Sequence, residues 1–335
     1  MYMVQNYRNQ WLLFCLIIAS FFSANCSYAQ YNLQPNISLS KLENFSDSPH
    51  QHTSYPYNKK RVRLVTIGNV VAYGALLVGL NAEWYAKYPR SGFHFFNDDA
   101  EWLQMDKVGH IYSAYTESRA SMEAWRWAGL PRKERIWVGG LSGVAYQSII
   151  EVLDGFSSQY GFSPGDFMAN IIGSGMFIAQ EFAWDDQRIK LKFSFHRKNY
   201  GESDLDKRAD AIYGSTEIER FIKDYNAQSY WLSANIKSFF PDTKLPRWLS
   251  FSFGYGAEGM FGARSNVFMG NGNVVDWSNI KRYRQWYISP DVDFMKIRTN
   301  KRGLKILFFV LDAFKFPAPT LEYSNGSFKG HWIVF

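Results

Sequence analysis

The chain has only two cysteines in 335 residues, Cys15 and Cys26, and both stand within the first 29 positions. A chain cut after Ala29 therefore has no thiol, which excludes a disulfide framework, a cysteine zinc cage and a thiol nucleophile. Also missing are H-E-x-x-H, G-x-S-x-G and a phosphate-cradling glycine loop. Their absence removes the helical zinc-protease, nucleophile-elbow hydrolase and P-loop readings. Basic arms are lacking as well. The net charge of +7 is spread along the chain rather than clustered, so nucleic acid is not an expected partner. What is abundant is apolar and aromatic matter. Apolar residues make up 47% of the chain and charged ones 20%, enough for a packed core, and 21 Tyr, 28 Phe and 12 Trp suit interfaces, membrane boundaries or sugar contacts.

Residues 1–29 read as a secretion signal. They have a weakly basic start at Arg8, the apolar run "WLLFCLIIASFF", and small residues Ser27 and Ala29 before a cut that leaves Gln30 first. The rival reading is a lipoprotein acylated at Cys26, with Asn25 a poor residue just before such a cysteine. Either route exports the chain to the periplasm or outer membrane. Residues 30–60 are polar, proline-bearing and aperiodic, so they read as a disordered tether, with His50 and His52 solvated inside it.

A helical bundle of about four helices is expected over residues 61–185. Residues 64–80 form a 17-residue apolar stretch, at the short limit for a bilayer span and equally fit for a core helix. Two further apolar segments, from Arg135 and from Asp166, carry Gly139 with Gly143 and Ala169 with Gly173, a four-residue spacing that lets helix backbones approach closely. Asp98 and Glu101 stand at capping-box spacing before a helix running to Ala128, with Gly129 and Pro131 as its stop.

From Arg188 the period changes to two. In "RIKLKFSFHR" apolar residues alternate with Lys, Ser and His, as in a strand with one wet and one dry face. Residues 186–245 read as this strand and short connecting helices, with Thr216 and Glu219 forming a capping box. Residues 246–335 read as an antiparallel β region, its strand-like runs starting at Trp248, Tyr283, Leu304 ("LKILFFVL") and Ser327. The predicted fold class is α+β: a helical bundle, then antiparallel strands. Alternating aromatics and small residues in "LSFSFGYG" resemble outer-membrane strands, although about six candidate strands fall short of the smallest such barrels.

One helix concentrates the polar chemistry. Asp106, His110, Ser113, Glu117 and Ser121 of the segment starting "DKVGHIYSAY" share a narrow stripe, with Val108, Ile111, Tyr112, Tyr115 and Met122 opposite. A thin acid-histidine seam on an otherwise apolar helix should face a polar cavity or partners on neighbouring helices. Glu151 and Asp154 lie three apart near a helix end, where acids oppose the helix dipole and call for compensation by Lys107, His110 or a cation. In "SPGDFMANIIG" Ser163 is the N-cap, Pro164 the first helical residue, Asp166 sits at N3, and Asn170 follows one turn on. The patterns D-K-x-x-H, E-x-x-D and S-x-x-D-x-x-x-N thus lie on three consecutive helices. Candidate metal ligands are Asp106, His110, Glu151, Asp154, Asp166 and Asn170, and candidate catalytic residues His110, Asp106, Lys107, Glu151 and Asp154. Such groups suit a divalent metal or an acid-base pair, and equally a buried polar network that locks helix register.

The motifs in "FHFFNDDAEWLQMDKVGHIYSAYTES", "SIIEVLDGFSSQYGFSPGDFMANIIGS", "IKLKFSFH" and "KDYNAQSYWLS" together resemble the YfiM-like family of bacterial envelope proteins, over roughly residues 80–260. The helical part is similar in motif order to VanZ-like membrane proteins, where Asp-Lys-x-x-His and a later Asp-x-x-x-Asn recur. The resemblance implies an exported protein without an assigned reaction. It carries the family signature onto Asp106, Lys107, His110, Glu151, Asp154, Asp166 and Asn170. Two functional readings stay open: a membrane-associated scaffold or binding protein partnered by outer-membrane or envelope components, with a protein partner also admissible, and a metal-dependent or acid-base hydrolase or transferase acting on envelope lipid or glycan.

Overall fold

The computed structural model describes residues 55–81, 89–201, 203–270 and 272–334. The expected signal, both cysteines, His50, His52 and most of the tether lie outside the described residues.

Four helices come first: α1 (Lys59–Leu80), α2 (Met105–Ala128), α3 (Arg132–Gly155) and α4 (Pro164–Trp184). Asn58 caps α1 through its side chain, and Val62 and Val65 pack on Trp125, Ala128 and Leu130 of α2 and the turn after it. The rest of α1 stands clear, with Leu64, Ile67, Val71 and Val78 each at least 60% exposed. By length and composition alone, Lys59–Gly79 and Arg132–Gly155 meet the requirement for crossing a membrane. In the second of these, α3, Ile136, Gly139, Gly143, Tyr146 and Glu151 are buried within the bundle.

The small residues act as the spacing predicts. A Cβ on Gly139 would lie 2.4 Å from the Met122 Cα, one on Gly143 2.0 Å from the Ala114 carbonyl oxygen, and one on Gly173 2.2 Å from the Ile111 carbonyl oxygen. Backbones therefore meet on both sides of α2, which is what brings the polar residues of three helices to one place. Helix α2 ends at Ala128 with Gly129 left-handed at φ 85°, as its sequence predicts. Its start differs. Trp102, Leu103 and Gln104 adopt φ of 47°, 51° and 64°, a left-handed turn pinned by Trp102 N–H to the Ala263 carbonyl. The helix begins at Met105, and the Asp98 side chain turns to Lys107 instead of capping.

Beyond the bundle, β1 (Ile189–Phe195), α5 (Ser203–Tyr213), α6 (Glu217–Lys223), β2 (Gln228–Asn235), α7 (Ile236–Phe239), β3 (Leu249–Glu258), β4 (Val267–Gly270), β5 (Asn273–Asp276), β6 (Tyr283–Val292), α8 (Arg302–Leu311), β7 (Ala318–Ser324) and β8 (Ser327–Val334) follow in order. Six strands form one antiparallel sheet in the order β1-β2-β3-β6-β7-β8, and β4 pairs with β5. The chain is α+β, helical first and antiparallel after. "LKILFFVL" is helix α8, not the strand its sequence suggests, because an unbroken apolar run carries no period to tell the two apart. Gln228–Asn235, within the stretch read as one strand and short connecting helices, is a further strand, β2, next to the edge strand β1.

Leu191 joins Tyr115, Met122 and Phe177 in one core cluster, and Phe193 joins Met105 and Tyr230 in another. The opposite side of β1 is charged and equally buried. Lys190 Nζ reaches Asp293 at 2.5 Å and Asp312 at 2.7 Å, Lys192 reaches Asp291 at 2.9 Å, and Arg119 of α2 reaches Asp312 at 2.6 Å. This paired network ties the bundle to the sheet and to the segment between β6 and β7.

Candidate functional site

Helix α2 presents Asp106, Lys107 and His110 within one turn; α3 brings Glu151, and the first turns of α4 bring Asp166 and Asn170. Ser163 caps α4 as its sequence predicts, accepting from the Asp166 N–H at 3.1 Å, and donates its own hydroxyl hydrogen to Asp98 at 2.6 Å. The cap thus also joins the loop before α2 to the site.

His110 is the hub. Its Nδ1 lies 3.0 Å from the Asn170 side-chain oxygen. With that oxygen as acceptor, Nδ1 carries the proton and Nε2 is turned towards the acids. Three carboxylates surround Nε2: Glu151 at 3.7 Å, and Asp106 and Asp166 at 3.8 Å each. These separations are too long for direct hydrogen bonds. They match donors sharing one cation, since two ligands at about 2.1–2.4 Å from an ion stand up to roughly 4–5 Å apart. One donor atom each from Asp106, His110 and Asp166 lies within 4.8 Å of the others.

Lys107 sits on the flank, with Nζ 2.5 Å from Asp98, 2.8 Å from Asp166 and 3.4 Å from Asp106. Four carboxylates, Asp98, Asp106, Glu151 and Asp166, therefore face two cationic groups, Lys107 and His110. Glu151 Oε1 and Asn170 Nδ2 are buried without a hydrogen-bond partner among the described residues. The excess of acid is absorbed by protons. Burial raises the Glu151 carboxyl to about 8, outweighing the pull of His110. Burial and the Asp106 carboxylate push Asp166 up to about 7. Burial works to lower His110, but Asp106, Asp166 and Glu151 outweigh it and lift the imidazole to about 9. For Asp98, burial is overcome by the hydrogen bonds from Lys107 and Ser163, which hold it below the usual carboxylate range. The site therefore carries exchangeable protons near neutrality on groups able to ligate a hard or borderline cation.

Of the residues singled out in the sequence, Asp106, Lys107, His110, Glu151, Asp166 and Asn170 converge here. Asp154 does not: it lies half-buried at the end of α3 and is not among the three carboxylates within 4 Å of Nε2. Glu117, two turns beyond His110 on the α2 stripe, makes a separate pair, accepting from Gln147 at 2.8 Å. Tyr225 was not foreseen. Its hydroxyl donates to Asp106 at 2.7 Å from the loop before β2, 119 residues away in sequence, and no local pattern marks a tyrosine in that position.

Residues 93–180 match the family model described as Predicted periplasmic lipoprotein (DUF2279). The matched stretch, about a quarter of the chain, runs from before the left-handed turn to the last turns of α4 and contains Asp98 and every converging residue of the bundle. The match accords with export to the cell envelope. Neither a curated protein nor a solved structure matches the chain.

Proposed function

We propose that the chain is an exported, membrane-associated binding protein of the cell envelope whose helical bundle holds a divalent cation between α2 and α4. One observation carries the reading: Asp106, His110 and Asp166 offer ligand atoms within 4.8 Å of one another, in a pocket where carboxylates outnumber cationic groups. Asp106, His110 and Asp166 are the ligands in this reading, Glu151 takes the open side, Asn170 orients the imidazole, and Lys107 holds Asp166 and Asp98 in place. Asn170 supports it by accepting the Nδ1 proton's hydrogen bond, which leaves Nε2 available to a cation. The YfiM-like and VanZ-like likeness belongs with this proposal, since the shared signature residues are the converging ones.

The test is calorimetric titration of the purified chain with Mn2+, Zn2+, Mg2+ and Ca2+, each compared with His110→Ala and Asp166→Asn. A saturable site lost in both variants supports the proposal. Equal binding by wild type and variants, or none by a folded wild type, overturns it.

A second reading is favoured by the raised carboxyls beside the raised imidazole: a hydrolase or transferase acting on envelope lipid or glycan, with His110 or Glu151 exchanging the proton. Under this reading Glu151→Gln abolishes turnover while leaving cation affinity within a few fold.

A further inference from the structure

The six-stranded sheet is inside-out. Lys190, Lys192, Ser233, Ser252, Ser289 and Asp291 lie on its covered side, each no more than 4% exposed. Both edges of the sheet reach one cavity of about 270 Å3 on that side, lined by His196 just after β1 and by His331 of β8. The apolar side is open to the surroundings beyond β2. There the strand register builds two continuous rows. Leu232, Phe253, Ile288 and Leu321 stand in line across four strands, each between 43% and 56% exposed. Beside them runs an aromatic row, Tyr255, Trp286, Tyr323 and Phe328. Its rings touch, with centroids 4.8 Å apart for Tyr255 and Trp286 and 4.9 Å for Tyr323 and Phe328.

Water is the wrong solvent for that surface. A sheet that hides lysine, serine and aspartate while displaying phenylalanine, leucine and isoleucine reverses the ordinary polarity, and an aliphatic band next to an aromatic one is the pattern of strands facing lipid. Helix α8 adds charge. Ile306, Leu307 and Val310 are 60%, 48% and 52% exposed, and Arg298, Lys301, Arg302 and Lys305 stand exposed at and before its start. No acid interrupts residues 294–311. An exposed apolar helix with an unbroken cationic end is complementary to anionic headgroups above acyl chains, which a protein surface would have to match with acids and apolar residues together.

We infer that the outward face of the sheet, together with α8, is seated in an anionic lipid bilayer, with the Leu232–Leu321 row among the acyl chains and the Tyr255–Phe328 row at the headgroup boundary. The inference rests on the envelope location proposed above and is independent of the cation site.

The experiment uses the full chain with Cys15→Ser and Cys26→Ser and one added cysteine, Ile288→Cys or Ile306→Cys, carrying an environment-sensitive dye. Lys244→Cys, at an exposed position in the loop between α7 and β3, is the control. With phosphatidylcholine vesicles containing phosphatidylglycerol, dyes at 288 and 306 shift to the blue and are quenched by lipids brominated on their acyl chains, while the control does not move. Lys301→Glu with Lys305→Glu removes the preference for phosphatidylglycerol, by about tenfold or more in partitioning. Dyes that stay in water while the chain floats with the vesicles overturn the inference and leave membrane association to another segment. Dyes already shielded before lipid is added, in a species of doubled mass, overturn it in favour of a second copy of the chain.

Discussion

Glu151 Oε1 faces His110 Nε2 across 3.7 Å, and no hydrogen-bond donor among the described residues reaches that oxygen. The two groups raise the same question from opposite sides: a carboxyl driven up to about 8 and an imidazole driven up to about 9 titrate in one pocket. Glu151→Gln keeps the shape and removes one of the three carboxylates holding the His110 proton. The His110 pKa should then fall from its raised value towards the ordinary imidazole range, followed by NMR of the ring protons through a pH titration. An unchanged midpoint would mean that Asp106 and Asp166 alone set it.

Glu117 gives a cleaner test of burial, since it lies outside the cluster around His110. Burial lifts its carboxyl to about 8, against the hydrogen bond from Gln147 and the charge of His110. The folded pKa lies above the unfolded one, so the folded state binds more protons in the interval between them. Stability from this group is therefore full below about pH 4.5 and is lost as pH rises through about 8. Glu117→Gln keeps the Gln147 contact and has no proton to lose. Its melting temperature should rise relative to wild type between about pH 5 and pH 9, by an amount on the order of a few kcal/mol in stability. Parallel pH profiles for the two proteins would contradict this.

Much of the bundle and its site was legible because the controlling patterns are local. Asp106 and His110 share a face by helical period, Ser163 caps because a side-chain oxygen stands three residues before an N–H it can accept from, and Gly129 ends a helix because it tolerates a left-handed conformation. What escaped depends on distant chain. Asp98 has capping spacing, yet the left-handed turn anchored on Ala263 redirects it to Lys107. Tyr225 reaches Asp106 only because β1 and β2 dock on α2, and the helical state of "LKILFFVL" is set by surroundings that its uniform apolarity does not encode. The alternation in "RIKLKFSFHR" correctly marks a strand, but its lysine side, expected to be wet, is as buried as its apolar side.

Close approach of α2 and α3 is the geometric condition for bringing Glu151 to His110, and Gly143 permits it. A methyl group there would stand 2.0 Å from the Ala114 carbonyl oxygen and 2.5 Å from Ser118 Oγ. Backbone cannot move aside as a flexible side chain would, so Gly143→Ala should cost at least about 1–3 kcal/mol through overpacking, more than its gain in helix propensity returns. Urea unfolding reads the change. Gly175 on α4, whose added Cβ would meet nothing within 4 Å, is the matched control, and Gly175→Ala should be neutral or slightly stabilising.

Lys192 of β1 and Asp291 of β6 test whether the buried charges tie the sheet together across its covered side. Their 2.9 Å ion pair is fully enclosed, with side chains at 0% exposure, and Lys192 also donates to the Val292 carbonyl at 2.7 Å. Asp291 accepts from Ser233 at 2.6 Å and from Ser252 at 3.1 Å, and two buried lysines pair with it, Lys192 closely and Lys315 at 3.8 Å. Lys192→Met removes the nearer of two cations from a buried carboxylate and should cost up to about 3–5 kcal/mol. Asp291→Asn should cost a similar amount, because Lys192 then keeps only the more distant Asp312, at 3.9 Å, in the same enclosed space. With both changes no lone charge remains, and the double variant should be more stable than the sum of the single losses requires, a coupling of about 1–3 kcal/mol. Denaturant midpoints for the four proteins supply the cycle. Strict additivity would show that each charge is compensated independently by the groups around it, and that the pair is not what joins β1 to β6.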